Sequence, residues 1–261
     1  MRGLGLAAFA ALLMATNASA QSVFDAVVPE AERTTEDLST AALRAILAER
    51  SATLFDARPP REFAISHIPG AVNVAPRPGM PAHLYVSDVA EVGRLLRGDT
   101  GRPIVLYCNG PTCGKSRRLA AELAAAGHTN VRRYQLGAPG WRLLGGAMQT
   151  SPDALPYLAS DGTAVWIDAR EPQAFGSGTV MRARNIPRSG LRPGREQGVM
   201  LEAKQDGRLP MEDHNTRIIV FADNAADARA VADAIAGEAF SNVSFVAEPL
   251  AEIRGLLTSG D

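Results

Sequence analysis

The sequence is short of the residues on which several classes of protein depend. It holds 2 cysteines in 261 residues, too few for a disulfide framework or a thiolate metal cage. What remains open is one catalytic thiol or one reactive pair. The formal net charge is −1, which gives no electrostatic footprint for nucleic acid or anionic lipid. His67, His83, His128 and His214 are scattered without metal-ligand spacing. Past the first 20 residues, no apolar run is long enough for a membrane helix. Apolar residues are not scarce. A chain that is 46% hydrophobic and 21% charged can bury a core, which excludes disorder. Its length suits one large domain or two of modest size.

The N-terminus reads as an address. Arg2 is followed by an apolar run, Leu4 to Met14, and then by Ala18-Ser19-Ala20. This is the pattern of a secretory signal cleaved after Ala20. The run is too short to span a bilayer comfortably, and no cysteine follows to carry a lipid. The expected protein, from Gln21 onward, is periplasmic or secreted, where thiols meet an oxidising environment. An uncleaved anchor or a buried helix is the alternative.

The rest of the chain repeats itself. Thr53-Leu54-Phe55-Asp56-Ala57-Arg58 returns as Val165-Trp166-Ile167-Asp168-Ala169-Arg170. Ile104-Val105-Leu106-Tyr107-Cys108 returns as Ile218-Ile219-Val220-Phe221-Ala222, and Asn130-Val131 as Asn242-Val243. Repetition at this period means two domain copies, not a solenoid. In each copy short apolar runs read as buried strands, and an Ala-rich amphipathic stretch reads as a helix. The predicted helices are residues 116–126 and 225–236, with Gly127 and Gly237 as stops. Ser39 or Thr40 caps an opening helix. Strands alternating with helices predict an α/β fold: two tandem domains, each a parallel sheet flanked by helices on both faces. The expected boundaries are a signal at 1–20, domain 1 at 36–149 and domain 2 at 150–258. The spacing from Asp56 to Cys108 is 52 positions against 54 from Asp168 to Ala222, and from Cys108 to Asn130 it is 22 against 20 from Ala222 to Asn242. The two extra residues of the first copy fall either in its cysteine loop or in the following helix.

The chemistry concentrates in Cys108-Asn109-Gly110-Pro111-Thr112-Cys113-Gly114-Lys115-Ser116. Cys108 ends a predicted strand shortly before a helix. In a parallel sheet, ligands sit beyond the carboxyl ends of the strands. The helix start adds oriented N–H groups and the positive end of its dipole, which stabilise a thiolate. Gly110 and Gly114 allow tight curvature, and Lys115, Arg117 and Arg118 add positive charge. Gly114-Lys115-Ser116 imitates the end of a P-loop, but the glycine that motif needs is Asn109 here. The arginine of the cysteine phosphatases is likewise replaced, by Gly114.

These features occur in a fixed order: Asp56-Ala57-Arg58, Glu62-Phe63, His67-Ile68-Pro69-Gly70-Ala71, Tyr107-Cys108, Asn130-Val131 and Gly137 to Trp141. In that order, over most of Thr40 to Gly145, they resemble the rhodanese domain. The second half keeps Asp168-Ala169-Arg170-Glu171 and Phe175 but shows Arg184-Asn185-Ile186-Pro187 in place of the His-Ile-Pro-Gly-Ala run. The resemblance implies a tandem rhodanese-like sulfurtransferase of the thiosulfate type, needing no metal or organic cofactor. Cys108 would take a sulfane sulfur from a small sulfur-containing anion or a protein persulfide and pass it to a thiol or other thiophilic acceptor. The backbone amides from Asn109 to Lys115 would hold the persulfide charge. Ala222 aligns with Cys108, so the second half would be silent. In many tandem relatives the active cysteine lies in the C-terminal copy, the reverse of the arrangement here. The loop also departs from the family in its length, in Lys115 where Arg is usual, and in Cys113. Three further readings stay open. In one, Cys113 heads the loop, because it has the family's spacing to Arg118. In another, Cys108 and Cys113 form a redox pair that protects, switches or resolves the persulfide. In the third, both halves are a non-catalytic binding module. His67 and the Asp56/Arg58 pair read as structural, and Trp141 and Trp166 as core.

Overall fold

The computed structural model describes residues 22–27, 35–74, 89–144 and 146–258. The signal segment, with its cleavage position, and His83 lie outside the described residues. The first half runs β1 (Glu36–Asp37), α1 (Thr40–Glu49), β2 (Thr53–Asp56), α2 (Pro60–Ile65), β3 (Val72–Asn73), α3 (Val89–Leu95), β4 (Ile104–Tyr107), α4 (Gly114–Ala125), β5 (Val131–Tyr134) and α5 (Gly137–Leu143). The second runs β6 (Met148–Thr150), α6 (Leu155–Asp161), β7 (Val165–Asp168), α7 (Pro172–Gly176), β8 (Arg184–Asn185), α8 (Val199–Gln205), β9 (Ile218–Phe221), α9 (Ala225–Gly237), β10 (Val243–Val246) and α10 (Leu250–Thr258).

Each half is a five-stranded sheet, ordered β1-β5-β4-β2-β3 and β6-β10-β9-β7-β8. Every pairing is parallel, and the two orders are the same order. The continuous apolar runs arise because these strands are covered on both sides. On β4, Val105 and Tyr107 face α1 and α5, meeting Leu43, Ile46 and Trp141. Ile104 and Leu106 face α3 and α4, meeting Val92, Leu119 and Leu123. In the second half Ile218 and Val220 pack on α8 and α9, while Ile219 and Phe221 pack on α6 and α10. Trp141 and Trp166 are both buried in these cores.

The Ser39 hydroxyl caps α1 by accepting the Ala42 amide at 3.1 Å. Gly127, just past α4, takes the left-handed conformation expected of a stop, with φ 90°. Gly237 instead closes α9, and Ala239 holds the left-handed position. Helix α4 starts at Gly114, two residues before the predicted position. The chain also enters the second sheet before Thr150, because Met148–Thr150 pairs with Ser244–Val246. A strand of three residues carries too little periodicity to be seen in the sequence.

A second correction concerns Arg184-Asn185-Ile186-Pro187. In the strand register Asn185 lies opposite Asp168, as Asn73 lies opposite Asp56. This segment therefore corresponds to Val72-Asn73-Val74 and not to the His-Ile-Pro-Gly-Ala turn. The counterpart of that turn runs from Val180 to Ala183, where the Ala183 amide donates to the Val180 carbonyl as the Ala71 amide does to that of Ile68. Where Gly70 supplies a positive φ in the first turn, Met181 and Arg182 adopt it in the second.

The same buried ion pair ends β2 and β7. Arg58 Nη2 lies 2.6 Å from Asp56 Oδ2, and Arg170 Nη2 lies 2.7 Å from Asp168 Oδ2. Each arginine also donates to a carbonyl eight residues on, that of Ser66 or of Gly178. Each carboxylate also accepts the arginine's own amide. Burial works against the Arg58 guanidinium, but Asp56 outweighs it and holds its pKa above the ordinary value.

The halves are joined through the end of α2. His67 and Gln149 exchange backbone hydrogen bonds, and the Ser151 amide donates to the Ala64 carbonyl. Ala64 itself packs in the core of the second half. His67 stacks on Phe63 at 4.0 Å, and its Nδ1 is 2.9 Å from the Phe63 carbonyl. Burial lowers its pKa below the ordinary 6.5. The unfolded chain therefore takes up this proton first on acidification. Stability present above pH 6.5 is expected to fall as pH drops through the folded value, and His67→Gln should flatten that part of a denaturation profile measured against pH. Asp56→Ala leaves Arg58, 3% exposed, without its carboxylate and is expected to destabilise by about 3–5 kcal/mol in denaturant unfolding.

Candidate active site

Cys108 directly follows β4, at the carboxyl end of the first sheet. Its carbonyl accepts the Ala138 amide at 3.0 Å, just as the Ala222 carbonyl accepts the Leu250 amide at 3.1 Å. The preceding residues match too: Tyr107 lies opposite Asp56, and Phe221 opposite Asp168. Cys108 and Ala222 thus occupy the same place in the two domains, and both are 2% exposed. Cys113 is elsewhere, at the N-cap of α4.

The two sulfurs are joined. A Cys108–Cys113 disulfide closes the loop, with the Cα atoms 6.2 Å apart. Of the predicted loop, Asn109 to Cys113 are loop residues, while Gly114, Lys115 and Ser116 form the first turn of α4. The corresponding stretch of the second half, Ala222 to Asn224, is half as long, and α4 and α9 differ by only one residue. The extra length of the first copy therefore lies in the cysteine loop, not in the helix. One amide expected to face the sulfur, that of Cys113, donates instead to the Gly110 carbonyl at 3.0 Å. This bond closes the turn that carries Cys113 back toward Cys108.

Two residues that the sequence offered only as part of the family pattern brace the loop, and a third that it did not name lies next to it. Glu62 on α2 accepts from the Asn109 side-chain amide at 2.6 Å. Gly137 has φ 61°, and a Cβ there would collide with the Cys108 carbonyl. Gln135 follows Tyr134, which pairs in register with Tyr107, so it stands next to Cys108 across the strand ends. Gln135 is 2% exposed, and neither end of its amide has a partner among the described residues. A buried amide left unpaired in this way is costly, and it belongs to the residue next to Cys108 in the strand register. Only its place next to a reactive residue marks it out, and that is invisible in a linear sequence.

The charges around the loop are mixed. Arg118 turns along α4 to Glu122 at 3.4 Å, Arg117 is exposed and Lys115 is half-buried. Deeper in, Tyr107 stands under the Arg58 guanidinium, 5.6 Å from ring centre to carbon, and its hydroxyl accepts the Ile68 amide. Burial and the nearby Asp56 carboxylate push its pKa well above the ordinary value, so it remains a neutral donor at any physiological pH. A cavity of about 1240 Å³ lies between the halves, lined among others by Arg44, Trp141, Arg229 and Phe245. It includes no residue of the cysteine loop. No group of three or more potential metal ligands occurs among the described residues, and none of their helices is long and apolar enough to cross a membrane.

Comparison with known proteins agrees with this architecture. The rhodanese-like domain model matches twice, over residues 39–144 and 151–253. The chain belongs to the rhodanese-like domain family and carries two copies of the domain in tandem. It is 34% identical over 93 residues to an HTH-type transcriptional regulator of Mycobacterium tuberculosis, and spans 35% of that protein's length. Among solved structures it is similar to SseA of Escherichia coli, described as a 3-mercaptopyruvate sulfotransferase. The identity is 18%, 82% of this chain and 98% of that one are covered, and the TM-score is 0.36. It is also similar to a thiosulfate sulfurtransferase of Pseudomonas aeruginosa, with 19% identity, 81% and 43% coverage and a TM-score of 0.35.

Gly137→Ala combines a strained backbone with a collision against the Cys108 carbonyl. It is expected to destabilise the protein by roughly 1–3 kcal/mol for the backbone conformation alone. It should also alter the reactivity of Cys108 toward an alkylating thiol reagent after reduction. A variant of unchanged stability and unchanged thiol reactivity would show that the loop does not rest on Gly137.

Proposed function

We propose that this chain is an exported sulfurtransferase that carries sulfane sulfur on Cys108 of its N-terminal domain, the C-terminal domain being catalytically silent. One observation carries the reading. A cysteine ends the central strand of the first sheet before a 12-residue helix, and alanine holds the same place in the sister sheet. A thiolate at such a position gains from the helix dipole and from loop amides.

The reaction balances with the residues present. With the disulfide reduced, the Cys108 thiolate attacks the outer sulfur of a sulfane donor such as thiosulfate. A Cys–S–S bond forms, the donor S–S bond breaks, and sulfite leaves with its electron pair. The persulfide then gives its outer sulfur to a thiolate or another thiophilic acceptor. A donor at the mouth meets the Asn109–Glu62 pair as well as the positive end of α4, so shape and hydrogen bonding select it along with charge. Ala222 has no nucleophile, and Asp223 and Asp227 flank it, which disfavours an anionic donor there. The role left to the second domain is support, because it packs against α2, whose Glu62 anchors Asn109.

The disulfide favours a second reading, a thiol–disulfide redox protein that uses Cys108 and Cys113 without sulfur transfer. Sulfite release separates the two. Reduced protein, freed of reductant and mixed with thiosulfate, is expected to release about one sulfite per chain, in line with one activated thiolate. Cys108→Ala should abolish it. Sulfite release that survives Cys108→Ala, or none from the reduced native chain, overturns the assignment.

A further inference from the structure

We infer that Cys113 is a resolving cysteine that turns the N-terminal domain from a carrier of sulfane sulfur into a reductant of it. The inference rests on the sulfurtransferase reading above and assigns the second thiol a step of its own. Once Cys108 holds the persulfide, the Cys113 thiolate attacks Cys108 Sγ. The Cys108–Cys113 bond forms, the bond to the outer sulfur breaks, and that sulfur leaves as hydrosulfide with the electron pair. With thiosulfate as donor, two thiols and one thiosulfate become one disulfide, one sulfite, one hydrosulfide and one proton. The two thiols are oxidised and the sulfane sulfur is reduced. A further turnover needs an external dithiol reductant of the thioredoxin-like class to reopen the disulfide.

Four observations carry this. First, the two sulfurs are bonded within a single loop, five residues apart. The partner needed to expel the outer sulfur therefore reaches Cys108 Sγ while β4 and α4 stay in place. Second, Cys113 is the N-cap of α4, and its side chain makes no capping hydrogen bond. A sulfur at the start of a 12-residue helix lies at the positive end of its dipole, which favours the thiolate. Third, exposure divides the two roles. Cys108 is 2% exposed, whereas Cys113 is only half-buried. An incoming reductant meets Cys113 first, and attack there releases Cys108 as the thiolate for the next cycle. Fourth, the lengthened loop and the second cysteine occur together. The short loop of the silent domain has neither cysteine and is capped by Asn224, which accepts the Asp227 amide at 2.9 Å.

A purely structural bridge accounts for this arrangement poorly. Closing so short a loop removes little entropy from the unfolded chain. The ring lies inside one connection and ties no two distant elements together.

The test is a single turnover without air, using the full chain reduced and then freed of reductant, with thiosulfate as probe. The expected products are about one sulfite and one sulfide per chain, and Cys108 and Cys113 end in a disulfide visible by peptide mapping. Cys113→Ser and Cys113→Ala should still release sulfite but lose the sulfide. They should keep a gain of about 32 Da on Cys108, as for a stable persulfide. If the native chain releases sulfite without sulfide and holds the added sulfur, the resolving role is wrong and the sulfurtransferase reading stands. If no form releases sulfite, the underlying reading fails and this one with it. Sulfide measured on the native chain keeps the test decisive should either variant misfold.

Discussion

The carboxyl edge of each sheet is organised by one buried aspartate–arginine pair. A carboxylate and a guanidinium taken out of water are tolerable only if nearly all their hydrogen-bonding capacity is met. Here Asp56 takes the amide and side chain of Arg58, and Arg58 also reaches the Ser66 carbonyl. The Asn73 side-chain amide donates to the carbonyls of Asp56 and Arg58. The pair and Asn73 thus fix the end of β2, the end of α2 and the end of β3 relative to one another. With Tyr107 beneath Arg58, the pair also fixes the strand end from which Cys108 extends. The second domain repeats the device with Asp168, Arg170 and Asn185. It lacks the cysteine, so the pair belongs to the fold and the chemistry is placed upon it.

That division explains how two copies of one domain can carry different loops. The sheets, their order and their covered faces are the same. Among the connections that differ is the one after the central strand, which in the first domain is longer and bears both thiols. Loops on a rigid scaffold accept such change because their backbone is not needed to cover the core. The first domain adds further fittings around its loop: Glu62 on Asn109, Gly137 under the Cys108 carbonyl, and the unpaired Gln135 amide beside the strand end. The second domain contributes from a distance, since Ala64 of α2 is packed into its core.

The strands were legible because each is a short apolar run buried on both faces. The repeat made them legible twice, and the register then showed that Cys108 and Ala222 share one position. The boundary was less legible, because β6 is three residues long and the chain changes sheet without any composition signal. The equivalence of Asn185 with Asn73 was hidden in the same way. It shows in the register between β7 and β8, and the intervening turn keeps its length, 17 positions from aspartate to asparagine in both copies, but has changed composition. Around the site, Cys108, Gly110 and Cys113 stood out by residue type. Glu62 and Gly137 appeared only within the family pattern and Gln135 not at all, because their importance lies in where they stand relative to residues 27 to 47 positions away.

The sequence by itself determined the class of the fold, its duplication, the presence of two thiols after the central strand of the first copy and the lack of a cysteine in the second. These follow from local quantities: hydrophobic runs, residue identity and spacing within a repeat. The tertiary structure decided which sulfur sits at the strand end and which at the helix start, that the two meet, and how deeply each is buried. Those properties depend on where the chain turns back on itself. A one-residue change in where α4 begins alters which side chain stands at its N-cap, and no pattern along the chain fixes that point before the helix has packed against its sheet.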